Sequence, residues 1–266
     1  MLDATPISHQ RTRGTAHIRV GAGGVLEKLY QKGSGKIMLP RCHGPVPEAV
    51  FLNTAGGLTG GDRLDYRIDL AERTRLVATT QTAERAYASN VGAAEVTVTL
   101  SLGAGAHLDW LPQETILFDR SALHRTTRIE LATGATCLFA EMLTLGRSAM
   151  GEAVQTLDLV DRRIVTRDGV PLFVDPLRLA GHDVLARAPA SLGAASAIAT
   201  VVAIAPDVAD RLDALRQVLP DTAVASAWAG RLLVRAMAPD PYRLRCDVAA
   251  ILKHLRGADL PRVWQY

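Results

Sequence analysis

The sequence predicts a β-rich α+β fold, an elongated, β-helix-like stack of many strands with about two α-helices in the C-terminal quarter. Three observations carry this. Apolar residues alternate at strand period through most of the chain, most clearly at residues 16–20, 64–70 and 95–102. Helical periodicity is confined to the end of the chain. Only 5% of the 266 residues are aromatic while 48% are hydrophobic, so the core has to be built from Leu, Val, Ile and Ala, which suits packed sheets better than an aromatic-lined ligand cavity.

In chain order, strands are expected at 16–20, 49–52, 64–70, 75–80, 95–102, 106–111, 126–131, 136–145, 154–160, 162–166 and 198–204, many of them separated by Gly, Pro or Asx residues. Residues 53–62, Asn-Thr-Ala-Gly-Gly-Leu-Thr-Gly-Gly-Asp, lie between two of these strands. They read as a pair of tight turns, strand to double turn to strand, with Gly56, Gly57, Gly60 and Gly61 as the residues that permit them. A helix is expected over 206–219, where Val208, Leu212, Leu215 and Leu219 share a face. A second is expected over 240–255, with Asp240 as N-cap, Pro241 at the first helical position, a stripe of Leu244, Val248, Ile251, Leu252 and Leu255, and Gly257 as the stop. The whole chain reads as one domain, with residues 1–13 as a flexible N-terminus; residues 187–196, rich in Ala, Pro, Gly and Ser, read as a loop.

Composition excludes several function classes. No run approaches the eighteen or so apolar residues of a membrane span, and no signal peptide is evident. Cys42, Cys137 and Cys246 are odd in number and widely spaced, which fits a reducing, cytoplasmic compartment and no disulfide framework or zinc site. The net charge of +3 is small and the arginines are dispersed, so neither nucleic acid nor a membrane is expected as a partner. Residues 32–36, Lys-Gly-Ser-Gly-Lys, imitate half a P-loop but lack its first glycine and its hydroxyl, so nucleotide binding is set aside.

Catalytic patterns are absent too. The seven histidines form no helical i,i+4 pair, Gly-x-Ser-x-Gly does not occur, and Cys42-His43, adjacent on extended chain, point to opposite faces. Several acids stand in apolar company instead: Glu84, Glu114, Glu141 and Asp175. A carboxylate so placed costs several kcal/mol unless it is paired or wet. Such acids either pair with arginines such as Arg85, Arg147 and Arg178 or line an internal wet passage. A β-rich hydrolase using paired carboxylates, Asp62 with Glu141 first, is the rival reading.

Five segments in order resemble the motifs of the urease accessory protein UreD (UreH) family: residues 53–62; Thr-Gln-Thr-Ala-Glu-Arg-Ala-Tyr at 80–87; Trp-Leu-Pro-Gln-Glu-Thr-Ile-Leu-Phe at 110–118; Gly-Arg-Ser-Ala-Met-Gly-Glu at 146–152; and Leu-Pro-Arg-Val-Trp at 260–264. The resemblance runs from about Gly14 to Trp264. Arg85 stands where the family often has lysine, and Gln113 where it often has glutamate, which removes one acid. The resemblance implies a non-enzymatic, metallochaperone-type scaffold for nickel insertion. Such proteins bind UreF, which recruits the GTPase UreG, and together they dock on the urease apoenzyme to deliver nickel; a water-filled passage through the fold has been proposed as the metal route. No cofactor is held tightly, and nickel is bound only transiently, because a tight cage would compete with the destination. Candidates for the route are Asp62, Glu84, Glu141, Glu152 and Asp175. Gly146, Arg147 and Gly151 join the glycines of the double turn as structural motif residues. Arg262, Trp264 and Tyr266, with the apolar faces of the C-terminal helices, are the interface candidates.

Overall fold

The chain winds into a coil whose turns each lay one strand in each of two facing sheets. The computed structural model describes residues 11–41, 44–147, 150–188 and 190–265; Cys42, His43 and Tyr266 lie outside them, as do Ser148 and Ala149 of the fourth motif. After β1 (Arg13–Val20), β2 (Leu26–Gly33) and β3 (Gly35–Met38), the first turn runs from β4 (Glu48–Asn53) to β5 (Arg63–Leu70). The second runs from β6 (Arg75–Thr80) through the short β7 (Glu84–Ala86) to β8 (Ala94–Leu102), and the third from β9 (His107–Leu111) through β10 (Thr115–Leu117) to β11 (Ser121–Leu131). The fourth runs from β12 (Thr136–Leu145) to β13 (Leu157–Arg167). In one sheet β1, β5, β8, β11 and β13 follow one another in parallel; in the other, β4, β6, β9 and β12 do so.

Antiparallel strands finish both sheets. β14 (Val170–Ala180) folds back on β13 and leads into the short α1 (Gly181–Ala186), and β15 (Ala197–Ile204) continues the second sheet from β12. After α2 (Leu212–Arg216), β16 (Ala223–Trp228) and β17 (Arg231–Ala238) form its outer edge, with β17 pairing β15, and α3 (Pro241–Arg256) closes the chain. β5 and β11 alternate buried and open residues, so one face of each packs between the sheets. β12 is buried on nearly every residue because its second face meets a separate cluster that includes Leu244, Val248, Ile251, Leu252 and Leu255 of α3. Asp240 caps α3 by accepting from the Tyr242 amide, and Gly257 ends it at φ 62°. The apolar stripe of α3 is therefore core, not a free docking face.

Several expectations need correction. The double turn joins strands of different sheets, β4 and β5, and so carries the chain across from one sheet to the other, which the sequence does not show. The strands expected at 154–160 and 162–166 are one strand, β13; Asp161 and Arg163, which look like a polar break, point inward and pair. β11 begins five residues early for the same reason, because Arg125 is an inward residue. The helix at 206–219 shrinks to a 3₁₀ turn (Val208–Arg211) and the single α-turn of α2. β2 escapes the pattern because all eight of its residues are exposed and no alternation marks it.

Candidate functional site

The first four family-like motifs, far apart in sequence, meet at one place in space. Between the two sheets the coil turns a corner, and successive corners pair in parallel: Leu58 with Ala86, Ala86 with Leu117, and Leu117 with Leu145. These four side chains are buried in a column. Backbone bonds stitch it, Leu58 N–H to Arg85 O at 2.7 Å, Phe118 N–H to Ala86 O at 3.0 Å and Gly146 N–H to Leu117 O at 2.8 Å. On its outer side the Tyr87 and Phe118 rings meet edge-to-face at 4.9 Å, the Arg147 guanidinium lies 4.4 Å above Phe118, and Tyr87 donates its hydroxyl to Gly56 O. Gly60 needs its missing side chain, because a Cβ there would run into the Ser89 hydroxyl and the Val91 carbonyl.

From the column a chain of charges runs inward between the sheets. Thr115 of β10 accepts from Arg125 Nη1 at 3.3 Å. Arg125 grips Asp161 with two bonds, 2.9 and 2.7 Å, and reaches Glu141 at 3.2 Å. Arg163 donates to Glu141 at 2.6 Å, to Asp175 at 2.7 Å and to Asp161, while Thr127 donates to Glu141 at 2.6 Å. Asp175 also accepts from Arg235, which emerges at the rim of a cavity of about 320 Å³ lined by Glu141, Arg163, Leu177, Leu192, Thr200 and Met237. Three guanidiniums balance three carboxylates. Burial pushes Asp161 up, but Arg125 and Arg163 outweigh it and hold the carboxyl below its ordinary value; burial likewise opposes, and Arg235 and Arg163 overcome, at Asp175.

A model of the UreD urease accessory protein family matches residues 12–265 of this chain. The chain belongs to this family. It is 51% identical over 271 residues to a urease accessory protein UreD of Paracoccus denitrificans (strain Pd 1222), covering 100% of this chain and 96% of the relative. It is 52% identical to one of Cereibacter sphaeroides (strain ATCC 17025 / ATH 2.4.3), covering 96% of each, and 49% identical to one of Jannaschia sp. (strain CCS1), covering 100% of each. A role in urease maturation follows from membership of UreD, and the relatives are named accessory proteins. No described helix is long and apolar enough to cross a membrane.

In this UreD chain the five candidate acids do not converge. Only Glu141 and Asp175 share the buried cluster. Asp62 is a backbone clamp, its two oxygens accepting from the Thr12 and Thr59 amides at 2.7 and 2.8 Å, so its carboxylate is used in holding the double turn. Glu84 accepts from Asn53 at 3.1 Å and from the Arg85 amide; burial raises its pKa. Glu152 ties Arg147 at 3.0 Å beside the Phe118 corner. Among the described residues no group of three or more His, Cys, Asp or Glu side chains is placed to hold a metal ion.

Trp264, an interface candidate, is buried against the second sheet: its indole N–H donates to Leu111 O at 3.1 Å and Thr79 Oγ1 at 3.2 Å, and Arg245 stacks 4.9 Å from its ring. Arg262 alone of the described interface candidates is exposed. Gln113 donates to Val263 O and accepts from Arg245, two roles a glutamate carboxylate could not combine. Asp161, Arg125, Arg163 and Arg235 were not singled out from sequence, yet a signal was present. The inward positions of β13 read Leu157, Leu159, Asp161, Arg163, Val165, so the strand period passes straight through opposite charges.

The depressed carboxyls set an acid limit. A group whose folded pKa lies below its unfolded value stabilises the fold above the unfolded value, and that stabilisation drains as pH falls through the folded one. Asp161, Asp175 and Asp109 are all of this kind, Asp109 through His107 and Arg256 against the opposing effect of burial. Thermal melts are expected to hold a flat Tm from pH 7 to about 5 and to fall steeply only below about pH 4. A decline already complete by pH 5 would assign acid lability to other groups.

Proposed function

We propose that this chain is a scaffold of urease maturation that joins the urease apoenzyme to UreF, and through UreF to UreG, and that nickel crosses it as cargo by brief carboxylate and water contacts. The observation that supports this is the line of carboxylates inside the coil, Asp161, Glu141 and Asp175, which leads from the motif column to the cavity under Arg235. Each carboxylate is held by guanidiniums, so an arriving cation meets oxygen ligands already committed elsewhere and is not retained; a carrier that must give up its metal needs weak sites. Of the five candidate acids, Glu141 and Asp175 remain on this route; Asp62, Glu84 and Glu152 are read as braces of the column. Docking surface is available on the two-faced edge strand β2, where Leu26, Leu29 and Tyr30 are exposed beside Val25, Met38 and Leu39.

The test is co-expression of the chain with UreF, UreG and apo-urease, with pull-down, bound-nickel analysis and urease activity as separate readouts. Asp175→Asn, at the rim where Arg235 is partly exposed and can turn to water, is expected to leave the captured complex intact and to lower nickel content and activity several-fold. Activity at the wild-type level in this variant would remove the route from the proposal, and failure of the unaltered chain to enter the complex would remove the scaffold.

A further inference from the structure

A charged cavity lies at the opposite corner of the coil, where β6, β9 and β12 begin. It holds about 520 Å³ and is lined by Arg73, Arg75, Arg211 and Arg256 together with His107, Asp109 and Asp207. Its floor is a closed relay. Arg256 donates to Asp109 at 2.8 Å, Asp109 contacts His107 Nε2 at 3.0 Å, and His107 Nδ1 contacts the Thr136 hydroxyl at 2.7 Å. An ionised carboxylate only accepts, which puts an imidazole proton on Nε2; in the neutral ring Nδ1 then accepts from the hydroxyl. Arg211 is paired with Asp207 at 2.7 Å. Both acids are thus answered by Arg211 and Arg256, whereas the Arg73 and Arg75 side chains have no hydrogen bond or ion pair among the described residues. Four guanidiniums against two carboxylates leave the site with a surplus of two positive charges.

The backbone adds an independent observation. Successive rungs turn this corner in the same way, and the residue at the tip is left-handed each time: Arg73 at φ 53°, Gly105 at 63° and Gly134 at 71°. The first two hand their amides to the next corner, Arg73 N–H to Ala104 O and Gly105 N–H to Thr133 O. Two rungs use glycine, the residue suited to that conformation, and the first keeps an arginine in spite of the strain. Its arm passes over the next rung, with Cγ 3.4 Å from where a Cβ on Gly105 would stand. Nothing in the turn itself calls for a long cation, and the arm lines the cavity.

We propose that this cavity is a binding site for a phosphate-bearing small molecule, gripped by Arg73 and Arg75. The planar fork of a guanidinium matches the oxygens of a phosphate, and the volume is that of a small-molecule site. The relay beneath holds Arg256 and His107 in place and leaves the two unpaired arginines to supply the charge. This site is separate from the carboxylate line, and its failure would leave the maturation reading untouched.

Calorimetric titration of the full chain with pyrophosphate, with inorganic phosphate and with a nucleoside diphosphate tests it and separates the sources. Saturable 1:1 binding of at least one probe is expected, with Arg75→Ala and Arg73→Gly each weakening it about tenfold or more. Arg73→Gly should also melt no lower than the unaltered chain, because glycine relieves the left-handed corner. Absence of saturable binding by all three probes up to about 10 mM would overturn the proposal, as would binding that is unchanged in both variants.

Discussion

Replacing Arg163 with methionine is expected to prevent the chain from accumulating as folded protein. Arg163 is only 2% exposed and touches three carboxylates, those of Glu141, Asp161 and Asp175. Methionine fills much of the same space, so the loss is one of charge: three acids would share Arg125 and the rim residue Arg235, and one buried negative charge would stand uncompensated. Breaking a buried pair in this way costs about 3–5 kcal/mol, a large part of the roughly 5–15 kcal/mol that holds a domain folded. Soluble yield and denaturant unfolding measure it. The same reasoning predicts rescue: Arg163→Met combined with Glu141→Gln restores the balance of two against two and should recover a substantial part of the loss, a coupling that independent sites would not show. If Arg163→Met alone unfolded within about 1 kcal/mol of the parent, the cluster would not be an electrostatic unit.

This cluster also marks where the sequence stops being readable. Strands whose inward residues are all apolar, such as β5 and β8, declare themselves, because hydrophobic alternation and burial coincide. β13 and β11 carry arginine and aspartate at inward positions, so hydropathy breaks while the backbone does not. The charges are tolerated inside only because partners arrive from β12, β14 and β17, a pairing between distant strands that no local window contains. β2 fails in the opposite direction, with nothing buried to mark its phase. α3, by contrast, was legible in full, since its cap, its proline, its stripe and its stop are all local signals. The motifs were legible as a set of ordered segments but not as a column, because their stacking follows from the length of each turn of the coil rather than from any residue in them. Of the candidate acids, sequence context identified Glu141 and Asp175 as needing partners and could not tell them from Asp62, whose partners are backbone amides.

Trp264→Ala is expected to be the second most damaging change, and its readout separates a core role from an interface role. The tail turn Arg262–Trp264 places the indole between Thr79 and Leu111 of the second sheet and Arg245 of α3, while Gln113 bonds the adjacent Val263 carbonyl. The third and fifth motifs are thereby one contact, and α3 is held to the coil partly through it. Truncating a buried tryptophan to alanine costs about 3–5 kcal/mol from lost transfer energy and the cavity left behind. Trp264→Phe keeps most of the apolar surface and removes the N–H that serves two acceptors, a loss of about 1–2 kcal/mol. Exposed Arg262, by comparison, should tolerate alanine within about 0.5 kcal/mol. Thermal melts should rank the variants in that order, and partner capture, normalised to folded protein, should change little for any of them. The opposite pattern, an unchanged melt for Trp264→Ala with capture abolished, would return the tryptophan to the surface as an anchor and require the tail to leave its seat when a partner binds.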